Sequence, residues 1–137
     1  MKTGLALVTL LITSILLPLI VRGADSPGWA GQYRDDKYLG GRAVFQLTIE
    51  QSGNAMQVSF DAAWVDAHGA APEAEGPAKV SGNTLTFTFK DTFDNSGTGT
   101  VTRSGNDIIV TFNTTKIVDP RASGFYGKNM RLKRVNR

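Results

Sequence analysis

The chain contains no cysteine, a single histidine and only five prolines in 137 residues. Without cysteine there can be no disulfide, no thiolate metal site, no cysteine nucleophile and no lipidated N-terminal cysteine. Any fold it adopts is held by packing and hydrogen bonds alone. His68 is the only imidazole, so acid–base or metal chemistry near neutral pH falls to it first. A strong charge of one sign is also missing. Setting aside Lys2 and Arg22 of the first two dozen residues, thirteen Lys and Arg oppose twelve Asp and Glu. Five of these bases crowd the last ten residues, Lys128, Arg131, Lys133, Arg134 and Arg137, but they alternate with apolar residues as on a strand with one wet face. That spacing argues against nucleic acid as a partner.

Long apolar runs are absent after residue 23. Before it, Lys2, an uncharged stretch from Thr3 to Val21 and the small residues Gly23 and Ala24 have the build of a secretory signal peptide. The expected organisation is a signal peptide over 1–23, cleaved after Gly23, and one domain over 24–137 with no transmembrane segment. The expected location is secreted or periplasmic.

What the sequence does contain is a repeat. Ser52-Gly53-Asn54-Ala-Met56-Gln-Val58-Ser-Phe60 recurs as Ser81-Gly82-Asn83-Thr-Leu85-Thr-Phe87-Thr-Phe89, and again as Ser104-Gly105-Asn106-Asp-Ile108-Ile-Val110-Thr-Phe112. In each copy Gly and Asn supply residues that tolerate positive φ, as a tight hairpin turn requires, and apolar residues then recur at strand period. A short alternating run precedes each turn. With an opening strand near Trp29 to Asp35 and a closing one within Phe125 to Arg134, the count is eight. These features predict an all-β protein, an eight-stranded antiparallel up-and-down barrel, with a β-sandwich as the alternative.

Strand parity puts Phe45, Leu47, Ile49, Met56, Val58, Phe60, Leu85, Phe87, Phe89, Ile108, Val110 and Phe112 on one face, the expected core. Ile49, Val80 and Val101 supply bulk near the repeated turns. Gly76, Ala78, Gly97 and Gly99 supply almost none toward the other end. Either the barrel opens there around one small ligand, or Phe60, Phe89 and Phe112 lean into the space.

The long connections, 36–41, 62–74, 91–96 and 115–122, all fall at that second end, where function on a rigid scaffold usually sits. They carry the candidate ligand-binding residues Tyr38, Trp64, Asp66, His68, Phe93, Asp94 and Arg121. Trp64 could stack on a flat ligand. Asp91, Asp94 and Asn95 could suit a hard cation, but an Asx-type turn explains them equally and the spacing is not that of a calcium loop. No catalytic residue, metal site or cofactor is assigned.

The layout resembles the calycins, the group that includes lipocalins, avidins and fatty-acid-binding proteins. Those barrels open with Gly-x-Trp at the closed end, covered by a basic residue of the last strand. Here Gly31-Gln32-Tyr33 stands in the corresponding place after Trp29, and Arg131, Lys133 and Arg134 end the last strand. Tyr33 replaces the usual tryptophan.

The resemblance implies a barrel closed at the turn end. The leading functional expectation is an exported non-catalytic protein taking a small apolar or amphipathic molecule at the open end. A module that binds a secreted protein, such as an inhibitor of a secreted hydrolase, is the alternative. A small enzyme using His68 is the third.

Overall fold

The computed structural model describes residues 28–135, so the expected signal peptide over 1–23 lies outside the described residues. Eight antiparallel strands follow one another around a closed barrel: β1 Gly31–Lys37, β2 Ala43–Ser52, β3 Ala55–Trp64, β4 Glu73–Ser81, β5 Thr84–Asp91, β6 Ser96–Ser104, β7 Asp107–Lys116 and β8 Met130–Arg134. Two short segments interrupt the connections: α1 Tyr38–Gly41, a tight turn with Leu39 and Gly40 in the left-handed conformation, and α2 Pro120–Ser123, a single helical turn. The barrel, not the sandwich, is the architecture.

The three repeats make the three tight hairpins. Ser52 pairs with Ala55, Ser81 with Thr84 and Ser104 with Asp107, leaving two-residue loops. The first loop residue is a glycine with φ near +60° in each, at Gly53, Gly82 and Gly105, while the asparagine after it stays at negative φ. Glycine in the first central position is the signature of a type II′ turn, whose twist matches that of the flanking strands. All three turns therefore lie at one end of the cylinder.

That end is capped by the last strand. Tyr33 Oη donates to Trp29 O at 2.8 Å and accepts from Arg134 Nη2 at 2.6 Å, and the Arg134 guanidinium lies 4.9 Å from the Tyr33 ring centre. Arg134 also donates to the carbonyls of Gly28 and Ala30, at 2.8 and 3.1 Å. Trp29 is buried beneath the guanidinium of Arg103, 4.2 Å from its ring. Closure of the wall itself rests on a short seam. Of the β1–β8 ladder only Tyr33↔Arg134 and Arg34↔Lys133 are paired, with Val135 N donating to Gln32 O just beyond.

The predicted core face is buried as expected, Met56 alone being half-buried. Val80 departs from expectation and is 42% exposed, because β4 continues past its last pair with β3, Met56↔Ala78. At the glycine-lined end the space is occupied. A methyl group added to Gly99 would sit 2.1 Å from Phe87 Cζ, so the ring fills the place a side chain would take. Gly76 and Gly97 instead admit backbone, with Thr88 O and Asn113 O inside the reach of a Cβ. Pro77, which lacks an N–H, sits where the β4–β5 ladder is interrupted between Glu75↔Lys90 and Ala78↔Phe87.

Phe45, Phe60, Phe87, Phe89, Phe112 and Tyr126 form one aromatic cluster across the interior, with centroid separations such as 5.2 Å for Phe60–Phe112 and 5.1 Å for Phe112–Tyr126. The edge-to-face geometry of Phe60–Phe112, at 72°, suits the ring quadrupoles. Outward positions of the same strands, such as Glu50, Gln57, Glu75, Thr86, Thr88 and Lys90, are exposed and polar. Apolar inside and polar outside is the inverse of a membrane-spanning barrel.

Candidate functional site at the loop rim

The rim opposite the hairpin turns is built from α1, the β3–β4 loop, the β5–β6 loop and the β7–β8 connection. The β3–β4 loop folds around the indole that ends β3. Trp64 Nε1 donates to Ala70 O at 3.0 Å, and its ring stands edge-to-face on Phe125 at 4.7 Å. A Cβ on Gly69 would meet Trp64 Nε1 at 2.9 Å, so glycine lets the loop close over the ring. Within the loop Ala67 N donates to Trp64 O at 3.0 Å, and Asp66 Oδ1 accepts from His68 N at 3.0 Å in an Asx turn. The loop is anchored to its neighbour by Val65 N donating to Arg42 O at 2.9 Å.

A buried polar clamp fixes the far side of the rim. Asn95 is fully buried; its Oδ1 accepts from Val118 N at 2.7 Å and Asp119 N at 2.9 Å, and its Nδ2 donates to Asp119 O and Asp91 Oδ2, both at 3.1 Å. Asp91 accepts from Phe93 N at 2.8 Å, Asn95 N at 2.9 Å and Tyr126 Oη at 2.5 Å. Burial pushes the Tyr126 hydroxyl well above the ordinary phenol range, and its bond to the Asp91 carboxylate pushes the same way. Among the described residues no cation pairs with Asp91. The segment 91–97 is thus an Asx turn turned inward as a brace between two loops.

α2 starts beside this brace. Asp119 caps it by accepting from Arg121 N at 3.0 Å, and the same carboxylate takes two bonds from Arg121 Nε and one of 2.6 Å from Nη2. Those bonds hold the Asp119 carboxyl below its ordinary value.

Between the two sides lies an open groove of about 760 Å³ lined by Gly41, Arg42, Trp64, Val65, Asp66, His68, Gly69, Ala70 and Arg121. Of the seven candidate residues, Trp64, Asp66, His68 and Arg121 meet here. Tyr38 does not. It is buried, its Oη donating to Phe125 O at 2.7 Å, and it fills the interior near the point where β1 and β8 stop pairing. Phe93 and Asp94 stand on the β5–β6 loop outside the groove, Asp94 beside Lys90 at 3.6 Å.

Sequence reasoning missed Arg42 and Val65. Arg42 gives its Nε to Leu39 O at 3.0 Å and has no carboxylate partner among the described residues. Val65 is 64% exposed, an apolar side chain at the groove edge. Nothing in the local sequence distinguishes either from ordinary loop residues.

The groove is a shallow surface feature with two guanidinium groups, one carboxylate, an exposed imidazole and an indole whose N–H is already satisfied. It has the means to hold apolar and anionic groups. It has no assembled nucleophile–base pair, since His68 meets Asp66 through its backbone N–H. Comparisons with protein-family models, with curated proteins and with solved structures find no match to the chain.

Proposed function

We propose that the chain is an exported, non-catalytic binding module of calycin-like build that holds a secreted protein partner against the loop rim of a filled barrel. The observation that carries this reading is the packing of Phe87 into the space over Gly99, within a cluster of five phenylalanines. An interior so occupied leaves the surface for recognition. Trp and Arg are the residue types most enriched where interface energy concentrates, and Trp64, Arg42 and Arg121 share one groove with exposed Val65. Ile117 and Val118, each more than half exposed, lie on the same connection as Arg121. Support for the calycin-like build comes from Arg134, which spans the closed end over Tyr33 as the basic residue of that group covers its tryptophan.

A small amphipathic ligand remains the second reading, favoured by the same groove, but its place is then on the rim and not inside the wall. Two exposed valines at opposite ends make the test. A photo-crosslinking residue is placed at Val65 or at Val80 in the exported protein within its native envelope. Discrete protein adducts are expected from position 65 and not from position 80. A hydrophobic fluorescent probe is expected to leave the buried phenylalanine resonances unmoved. Probe-induced shifts at Phe87 and Phe112, without adducts at position 65, would overturn the proposal in favour of an internal ligand.

A further inference from the structure

Resting on that reading, we infer that the segment gripped by the groove is acidic: a partner's Asp or Glu side chain set between Arg42 and Arg121, with a neighbouring aliphatic residue seated on Trp64 and Val65. Charge is the first argument. The groove carries two guanidinium groups and one carboxylate, Asp66. Arg121 shares its charge with Asp119 through a bidentate contact, Nε to Oδ1 and Nη2 to Oδ2, whereas Arg42 has spent only its Nε, on Leu39 O. Its two terminal nitrogens have no carboxylate partner among the described residues. A planar guanidinium offers a fork that matches a carboxylate better than any neutral acceptor.

Preorganisation is the second. Arg42 is tied to the β3–β4 loop by Val65 N donating to its carbonyl, and Trp64 is fixed on three sides by Ala70 O, Gly69 and Phe125. Arg121 sits on a turn capped by Asp119, whose N–H and C=O are both held by buried Asn95. The walls need not be ordered when a partner arrives, which removes much of the entropic cost of binding. Apolar contact beside the charges is the third argument. The indole N–H is already bonded to Ala70 O, so what the ring offers a partner is apolar surface, and exposed Val65 extends it. An all-polar segment would leave that surface bare, and an all-basic one would also face like charge.

Selection of displayed random peptides on the full protein tests this, with binding measured for synthetic winners on wild type, Arg42→Glu and Val65→Asp. Val65→Asp reports whether the winners use the rim at all. Arg42→Glu reports whether their charge matters. Winners that place Asp or Glu next to Leu, Ile or Val, weaken at least tenfold on Arg42→Glu, and weaken on replacing that acid by its amide support the inference. Winners that lose binding on Val65→Asp but carry no acidic residue overturn it while leaving the rim as the binding face. Winners insensitive to both substitutions overturn both readings. Decanoate that binds wild type more tightly than any winner, and loses that binding on Arg42→Glu, would reassign the groove to a lipid carboxylate and overturn the protein partner.

Discussion

The two ends of the barrel are made from the same eight strands and have opposite characters. At the turn end the chain reverses three times in two residues, each time with glycine in the only left-handed position, and Arg134 seals the opening with four hydrogen bonds to backbone and Tyr33. At the rim the chain takes four longer routes, and three of the four non-glycine residues with positive φ among the described residues are found there, Leu39, Ala67 and Asp94; the fourth, Asn129, lies beside Thr111 in mid-wall. Among the described residues, three of the four large exposed apolar side chains, Val65, Ile117 and Val118, belong to it as well. Left-handed backbone, exposed apolar area and a buried carboxylate each cost stability, and they are concentrated at one end.

The contrast depends first on the interior being filled between the ends. Phe87→Ala removes the ring that occupies the space over Gly99, and a loss of about 3 to 5 kcal/mol is expected in urea unfolding. The same variant should acquire binding of a benzene-sized probe that wild type lacks. A variant of unchanged stability would mean the barrel is hollow after all. Next comes the rim brace. Asn95→Ala strands the Val118 and Asp119 N–H groups, removes a donor from the Asp119 carbonyl and leaves Asp91 Oδ2 with Tyr126 alone, at a cost of roughly 2 to 4 kcal/mol. At the closed end, Arg134→Leu is expected to cost about 1 to 2 kcal/mol. The Trp64 indole N–H resonance should not move, since the ends share no side-chain partner; a shift there would show that they are coupled.

Alkaline titration separates the ends by chemistry. Burial raises the hydroxyls of Tyr33, Tyr38 and Tyr126 above the phenol range. A proton bound more tightly in the folded state contributes stability that is fully present below the unfolded phenol value, about 10, and is lost as pH rises toward the folded one. Stability should therefore fall above pH ~10, and fall less steeply in Tyr126→Phe. Phenolate absorbance that develops before unfolding would contradict this. The smallest effects have opposite signs. Ala67→Gly relieves a left-handed alanine and should add about 0.5 kcal/mol, whereas Gly53→Ala should subtract about 1 kcal/mol.

Much of this was legible in the chain. The Ser-Gly-Asn repeats announce turn, register and inward face together, because a two-residue loop fixes which residues oppose one another. The four long connections were placed at the correct end for the same reason. What sequence could not supply is where irregular backbone sends its side chains. Tyr38 and Arg42 are four residues apart around a turn with left-handed Leu39 and Gly40, and one is buried while the other faces the groove. Val80 has perfect inward parity but sits beyond the end of its β3 partner. Asn95 reads as loop polarity, yet its side chain is fully buried and makes four hydrogen bonds.

The narrow β1–β8 seam has a consequence for the order of events in the molecule's life. The residues that shut the cylinder, Lys133 and Arg134, come after all seven other strands in the chain, and until they dock both β1 and β7 present bare edges. A nascent chain of this design cannot lock prematurely. Its wall stays open along one side until β8 is in place, and then closes in one step.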